Sequence, residues 1–351
     1  MTKTLPPIDT KYMLDFLTKL LVIPSPTGFT ESAIDYTEDA LRAFPFLKIK
    51  RTNKGALVVT WPGKKNHASR GLTAHIDTLG AMVKEIKPNG RLKLTKIGGF
   101  PWNFVEGEGI VVFTQQGEKI LGSILLTHSS VHVYGKKVSE TKREDDTIEV
   151  RLDVRTTSAE ETRSFGIEIG DFVAFDPRVK TNNGFVRSRH LDDKACVANI
   201  LAAIQAMHNA GLEPEQTTTF LISNYEEVGH GASAGFPDDI KELVTVDMAA
   251  VGDGQNSDEF SAAICVKDTG GPYHHGLNQK MRALAEEYQI PFKVDIYPHY
   301  GSDGEAYWRA GGDVAVALIG PGVDASHNYE RTHTEALTAT TQWIIAYLLS
   351  E

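Results

Sequence analysis

Two hydrophobic periods alternate along the chain, and the stretches they govern divide it. Tyr12, Met13, Phe16, Leu17, Leu20 and Leu21 recur at helical spacing behind Asp9 and Thr10, which predicts a capped helix ending at Ile23-Pro24. A second helix is predicted behind Thr30, through Ala33, Tyr36, Leu41 and Phe44, followed by a hairpin of Leu47–Thr52 and Ala56–Trp61 around Asn53–Gly55. Gly71–Ala74 is a short apolar run leading into His75-Ile76-Asp77. Further on, helical patterns over Ala195–Gly211, Leu277–Gln289 and Ala336–Leu349 alternate with apolar runs at Thr218–Ile222, Leu243–Met248, Phe260–Lys267, Phe292–Tyr297 and Val314–Ile319. Such alternation predicts an α/β fold, a mainly parallel sheet flanked by helices on both faces, built from residues 1–81 and 188–351. Residues 82–187 read differently. Short alternating runs such as Arg91–Lys96, Gly109–Phe113, Lys119–Leu126, Thr147–Leu152 and Asp171–Phe175 lie between Gly, Pro, Asn and Asp, which predicts an inserted small all-β barrel domain.

Composition narrows the picture without redirecting it. A chain of 351 residues exceeds the length at which one core stops growing, so two domains are expected. The net charge of −10 argues against a nucleic-acid partner, which needs a basic surface to displace counterions. Only Cys196 and Cys265 occur, too few for a disulfide framework or a thiolate metal site, and they fit a reducing compartment. The N-terminal stretch has no signal-peptide pattern and no run reaches the 18 apolar residues or so of a membrane span. The expected location is cytoplasmic, away from membranes.

Candidate chemistry gathers where strands end and helices begin. The run TTTFLIS leads straight into Glu226 and Glu227 and then glycines, and ligands in open α/β sheets collect beyond the carboxyl ends of strands. Neighbouring acids on an extended backbone point opposite ways, so one can bind a cation while the other faces substrate. His75, Asp192, Glu227, Asp247 and a late histidine form a set of imidazoles and hard oxygens suited to Zn²⁺, Co²⁺ or Mn²⁺. Five ligands suit two metals that share one carboxylate. Asp192 is the natural bridge, Asp77 lies two residues beyond His75 where it can orient the imidazole, and Glu226 remains for proton transfer. Asp192-Asp193 equally fit the capping of a helix. Asp247, inside the apolar run LVTVDM, needs a partner wherever it lies.

The order HxD, β-rich insert, LDD at a helix start, EEVG after a strand, VD in the next strand, GSD and a late His resembles the M42 family of dinuclear metallo-aminopeptidases, grouped with the M18, M20 and M28 peptidases. The match runs from PSPTGFTE to the terminal helix. It implies a zinc-peptidase-like fold with two metal ions per subunit, Zn²⁺ or Co²⁺, bound by His75, Asp192, Glu227 and Asp247. It also implies Glu226 as general base, Asp77 supporting His75, and an insert used in oligomerisation, often as a tetrahedral dodecamer. For the last ligand, counting from Gly320 favours His327 over His333. The chain departs from the resemblance in lacking the Arg-Tyr of Arg-Tyr-x-His-Ser and in carrying Lys194 after the acid pair. The implied function is removal of N-terminal residues from short peptides through a two-metal-activated water; the alternative is deacylation of acylated amino acids or blocked dipeptides at the same centre.

Overall fold

The computed structural model describes residues 4–351. It divides into two compact units, one ending at Asp77 and resuming over Arg178–Glu351, the other Thr78–Pro177. Both ends of the insert therefore fall earlier than the expected 82–187. Phe185–Ser188 pairs antiparallel with Glu330–His333, which draws the hairpin after Pro177 into the larger unit's sheet.

The larger unit is built on a mixed sheet. Strands Gln216–Ser223, Lys65–His75, Glu242–Val246 and Ala315–Asp324 are its parallel centre, with Leu57–Trp61 antiparallel outside the first and Ala262–Asp268 antiparallel beside the last. Side chains alternate across it as the pleat requires. Phe220, Ile222, Val244, Val246, Ala317 and Ile319 enter one core, while Leu221, Leu243, Val316 and Leu318 enter another on the opposite face. Burial on both sides explains why these runs read as continuously apolar.

The first core is closed by helices. Thr10–Leu21 is capped by Asp9, whose carboxylate accepts from the Tyr12 amide at 2.9 Å, and it buries Met13, Phe16, Leu17, Leu20 and Leu21. Leu191–Asn209 and Thr334–Leu349 pack beside it, the latter around a fully buried Trp343. Each large aliphatic side chain withdrawn from water in this layer contributes about 1.5–3 kcal/mol. Among the described residues, no helix is long and apolar enough to cross a membrane.

The smaller unit is a closed antiparallel barrel in the order Gly80–Ile86, Leu92–Ile97, Ile148–Leu152, Lys119–Leu126, Gly109–Phe113, Phe172–Phe175. Alternate residues such as Val83, Leu94, Val112, Ile124, Val150 and Val173 fill its interior.

Candidate metal and catalytic site

The parallel strands deliver the sequence-predicted residues to their carboxyl ends, along one end of the sheet. His75 ends its strand in register with Ser223, and the chain leaving Ser223 carries Glu226 and Glu227. Tyr225 adopts a positive φ of 76°, a left-handed turn that redirects the backbone between strand and acids. Asp247 directly follows Glu242–Val246, and its amide donates to the Ile319 carbonyl at 2.9 Å. Asp192 and Asp193 open Leu191–Asn209 with non-helical backbone angles and a cis peptide between them. His327 comes from the turn after the last central strand.

These side chains converge. His75 Nε2 lies 3.0 Å from Asp192 Oδ1 and 3.7 Å from Glu226 Oε2. His327 Nε2 lies 3.4 Å from Asp192 Oδ2 and 3.6 Å from Glu227 Oε2. Asp192 thus turns one oxygen toward each imidazole. Ligand atoms of His75, Asp192 and Glu227 fall within 4.8 Å of one another, as do those of His75, Asp193 and Asp247. His333 is elsewhere: its ring accepts from the Glu335 amide at 3.2 Å, capping the terminal helix, and packs against Phe185 and Phe260.

Supporting contacts orient the set. His75 Nδ1 is 2.8 Å from the Asp77 carbonyl oxygen. A carbonyl can only accept, so Nδ1 carries a proton and Nε2 is the nitrogen that would face a metal. The Asp77 carboxylate has a different task from the one its position suggests. It accepts from the amides of Glu226 and Glu227 at 3.2 and 3.3 Å and from Thr27 Oγ1 at 2.7 Å, fixing the acidic loop, while its nearer oxygen stays 3.8 Å from His75 Nδ1.

Two contributors escape sequence reasoning. Glu330, fully buried, accepts from the amides of Asp192 and His327 at 3.1 and 3.0 Å and so ties two cluster segments together. Asp193 accepts from the His75 amide at 3.1 Å, and its other oxygen is buried without a hydrogen-bond partner. The doubled LDD was the available signal for Asp193; no spacing marked Glu330.

The sequence pattern of the M42 glutamyl aminopeptidase family matches residues 55–343. The chain belongs to this family. YhfE of Bacillus subtilis (strain 168), whose name gives it provisionally as an aminopeptidase, is 47% identical over 338 residues, spanning 96% of this M42 chain and 97% of its own. The lysyl aminopeptidase of Pyrococcus furiosus is 24% identical over 315 residues, 87% of each chain. In three dimensions the M42 chain resembles the TET1 peptidase of Pyrococcus horikoshii, with a TM-score of 0.82 at 23% identity across 97% of this chain and 100% of that one. Membership makes the protein a peptide-bond hydrolase.

Electrostatics tests whether a metal fits this M42 site. Burial pushes the Asp247 carboxyl up to about 7, with the Asp192 charge adding to it. Burial pushes Glu227 up to about 8 against the pull of His327, and Glu226 and Asp193 are driven well above the usual carboxylate range by the same desolvation. Burial also acts on Asp192, but hydrogen bonding to His327 and His75 holds it well below its ordinary value. Desolvation disfavours a charged His75, yet Asp192, Glu226 and Asp193 raise it well above an ordinary histidine. Several carboxylates crowd two imidazoles, and burial leaves most of those acids without enough positive charge to balance them. Divalent cations would supply it. The thiolate-free N,O donor set and the unpartnered Asp193 oxygen fit such ions.

Proposed function

We propose that this M42 peptidase removes N-terminal residues from short peptides with two divalent ions, Zn²⁺ or Co²⁺, held by His75, Asp192, Glu227, Asp247 and His327. The observation that carries the proposal is the disposition of Asp192 between the two imidazoles, one oxygen 3.0 Å from His75 Nε2 and the other 3.4 Å from His327 Nε2, where it would be shared by ions held on either side. Ions bound there would supply Lewis acidity toward the scissile carbonyl and would lower the pKa of water toward neutrality.

The protein's own groups do the rest. Glu226, whose side chain is 15% exposed, takes a proton from the attacking water and returns it to the leaving amine. Asp77 keeps the backbone of Glu226 and Glu227 in place, and its carbonyl fixes the His75 tautomer.

Glu226→Gln tests the assignment. Metal content should be unchanged while kcat falls by about 10²–10⁴-fold. Near wild-type turnover with normal metal content would remove Glu226 from the chemistry. Release of acid from N-acylated amino acids, with no action on free N-termini, would instead favour a deacylase.

The fold likeness to a peptidase described as assembling into a tetrahedron or a large octahedral shell supports a homo-oligomer, and we propose a tetrahedral dodecamer. Two free, buried cysteines fit a reducing, cytoplasmic setting.

A further inference from the structure

Asp303 opens the short helix Asp303–Arg309, outside the metal cluster, and its side chain is almost wholly withdrawn from water. A carboxylate so buried must be held by donors. Three come from three different segments. Thr73 Oγ1 donates to Oδ2 at 3.0 Å, Ser223 Oγ donates to the same oxygen, and the Ala232 amide donates to Oδ1 at 2.7 Å.

Each donor sits beside a functional element. Thr73 is two residues before His75 on its strand; Ser223 ends the strand that leads to Glu226 and is the register partner of His75. Ala232 lies just beyond the acidic loop, in the turn Gly231–Ser233. A Cβ on Gly231 would come within 2.2 Å of Asp303 Oδ1, so the loop's far end lies directly against the carboxylate. The same turn is also held by Lys54, whose Nζ donates to the Gly231 carbonyl at 3.0 Å and to Ser233 Oγ at 3.1 Å. Asp77 holds the loop's near end through the two glutamate amides.

We propose that Asp303 is a positioning residue for the proton-transfer step: its carboxylate pins the far end of the Asn224–Gly231 loop to the ends of the two strands that carry His75 and Glu226. Asp77 and Asp303 together fix the loop at both ends, so the carboxyl of Glu226 keeps its place opposite His75. Small misplacement of a reacting group is costly, with about 1 Å enough to lose roughly 10²-fold in rate. The catalytic half of this statement rests on the proposed role of Glu226; the clamp itself does not.

Asp303→Ala in the metal-loaded full chain separates the two. Amide hydrogen exchange over residues 224–232 should quicken about tenfold or more while the core helix Leu191–Asn209 keeps its protection. In the same variant kcat should fall about 10–100-fold with KM within about twofold, and Asp303→Asn, which retains an acceptor for the Ala232 amide, should recover most of the loss. Should the alanine variant not fold, Ser223→Ala removes one donor and carries the same comparison in milder form. Unchanged exchange across 224–232, or acceleration spread evenly over the unit, overturns the clamp. Localised loosening with unchanged kcat overturns the link to catalysis. Glu226→Gln reads out the chemistry separately, so failure of that reading is not mistaken for failure of the clamp.

Discussion

At Asp192, Asp193, Glu227 and Asp247 the protein concentrates acid where burial penalises charge. In the metal-stripped protein Asp247 and Glu227 hold protons up to about 7 and about 8, against ordinary values of 3.8 and 4.5. The folded state then binds more protons than the unfolded chain through that window, so stability falls as pH rises. Bound metal reverses the trend because it needs the deprotonated ligands. A thermal melt after chelation should therefore drop between about pH 5 and about pH 8, while excess Zn²⁺ should raise the melting temperature more at the upper end. A stripped protein that gains stability toward pH 8 would contradict this account of the cluster. At this scale the sequence was largely readable, because strand-end acids stand out against apolar runs. Asp77 shows where reading stopped: its spacing put it beside His75, but whether its carbonyl or its carboxylate meets the ring depends on how the chain turns after the strand.

Elements were legible where burial follows period and illegible where it follows contact. The apolar run ending at Ile319 continues as strand through Gly320, Pro321 and Gly322 to Asp324, across residues that signal a break. The reason is proximity. A Cβ on Gly320 would lie 1.7 Å from the Asp247 carbonyl oxygen and one on Gly322 would lie 1.8 Å from that of Asp258, so these glycines admit neighbouring backbone. Lys65–Arg70 likewise extends the His75 strand back through polar residues that pattern alone leaves as a loop. Gly304 is a third such approach, with a Cβ there meeting Val316 and Thr245 at 2.5 and 2.6 Å. Gly304→Ala should press the Asp303–Arg309 helix off the sheet and lower stability by about 1–3 kcal/mol, measured by denaturant unfolding. A neutral result would mean that the helix yields without cost.

For the whole molecule, the change from long helical periods to short alternating runs was enough to reveal a barrel inside an α/β chain. Its limits were not, since residues 180–188 look like barrel strands until Glu330–His333 pairs with them from far along the sequence. Assembly is invisible to pattern as well. Light scattering should give a mass near twelve copies of the 38.5 kDa chain, and a monomer at working concentration would contradict the proposed dodecamer.

The central claim is a two-ion aminopeptidase centre built around Asp192. Its most direct test is stepwise Co²⁺ addition to chelated protein, following the ion's visible spectrum and the release of free N-terminal amino acid from a short peptide panel. The account predicts two equivalents bound per chain, with full turnover only as the second is taken up, and neither step in Asp192→Ala. Turnover by the metal-free protein, or full activity with a single equivalent, would contradict it.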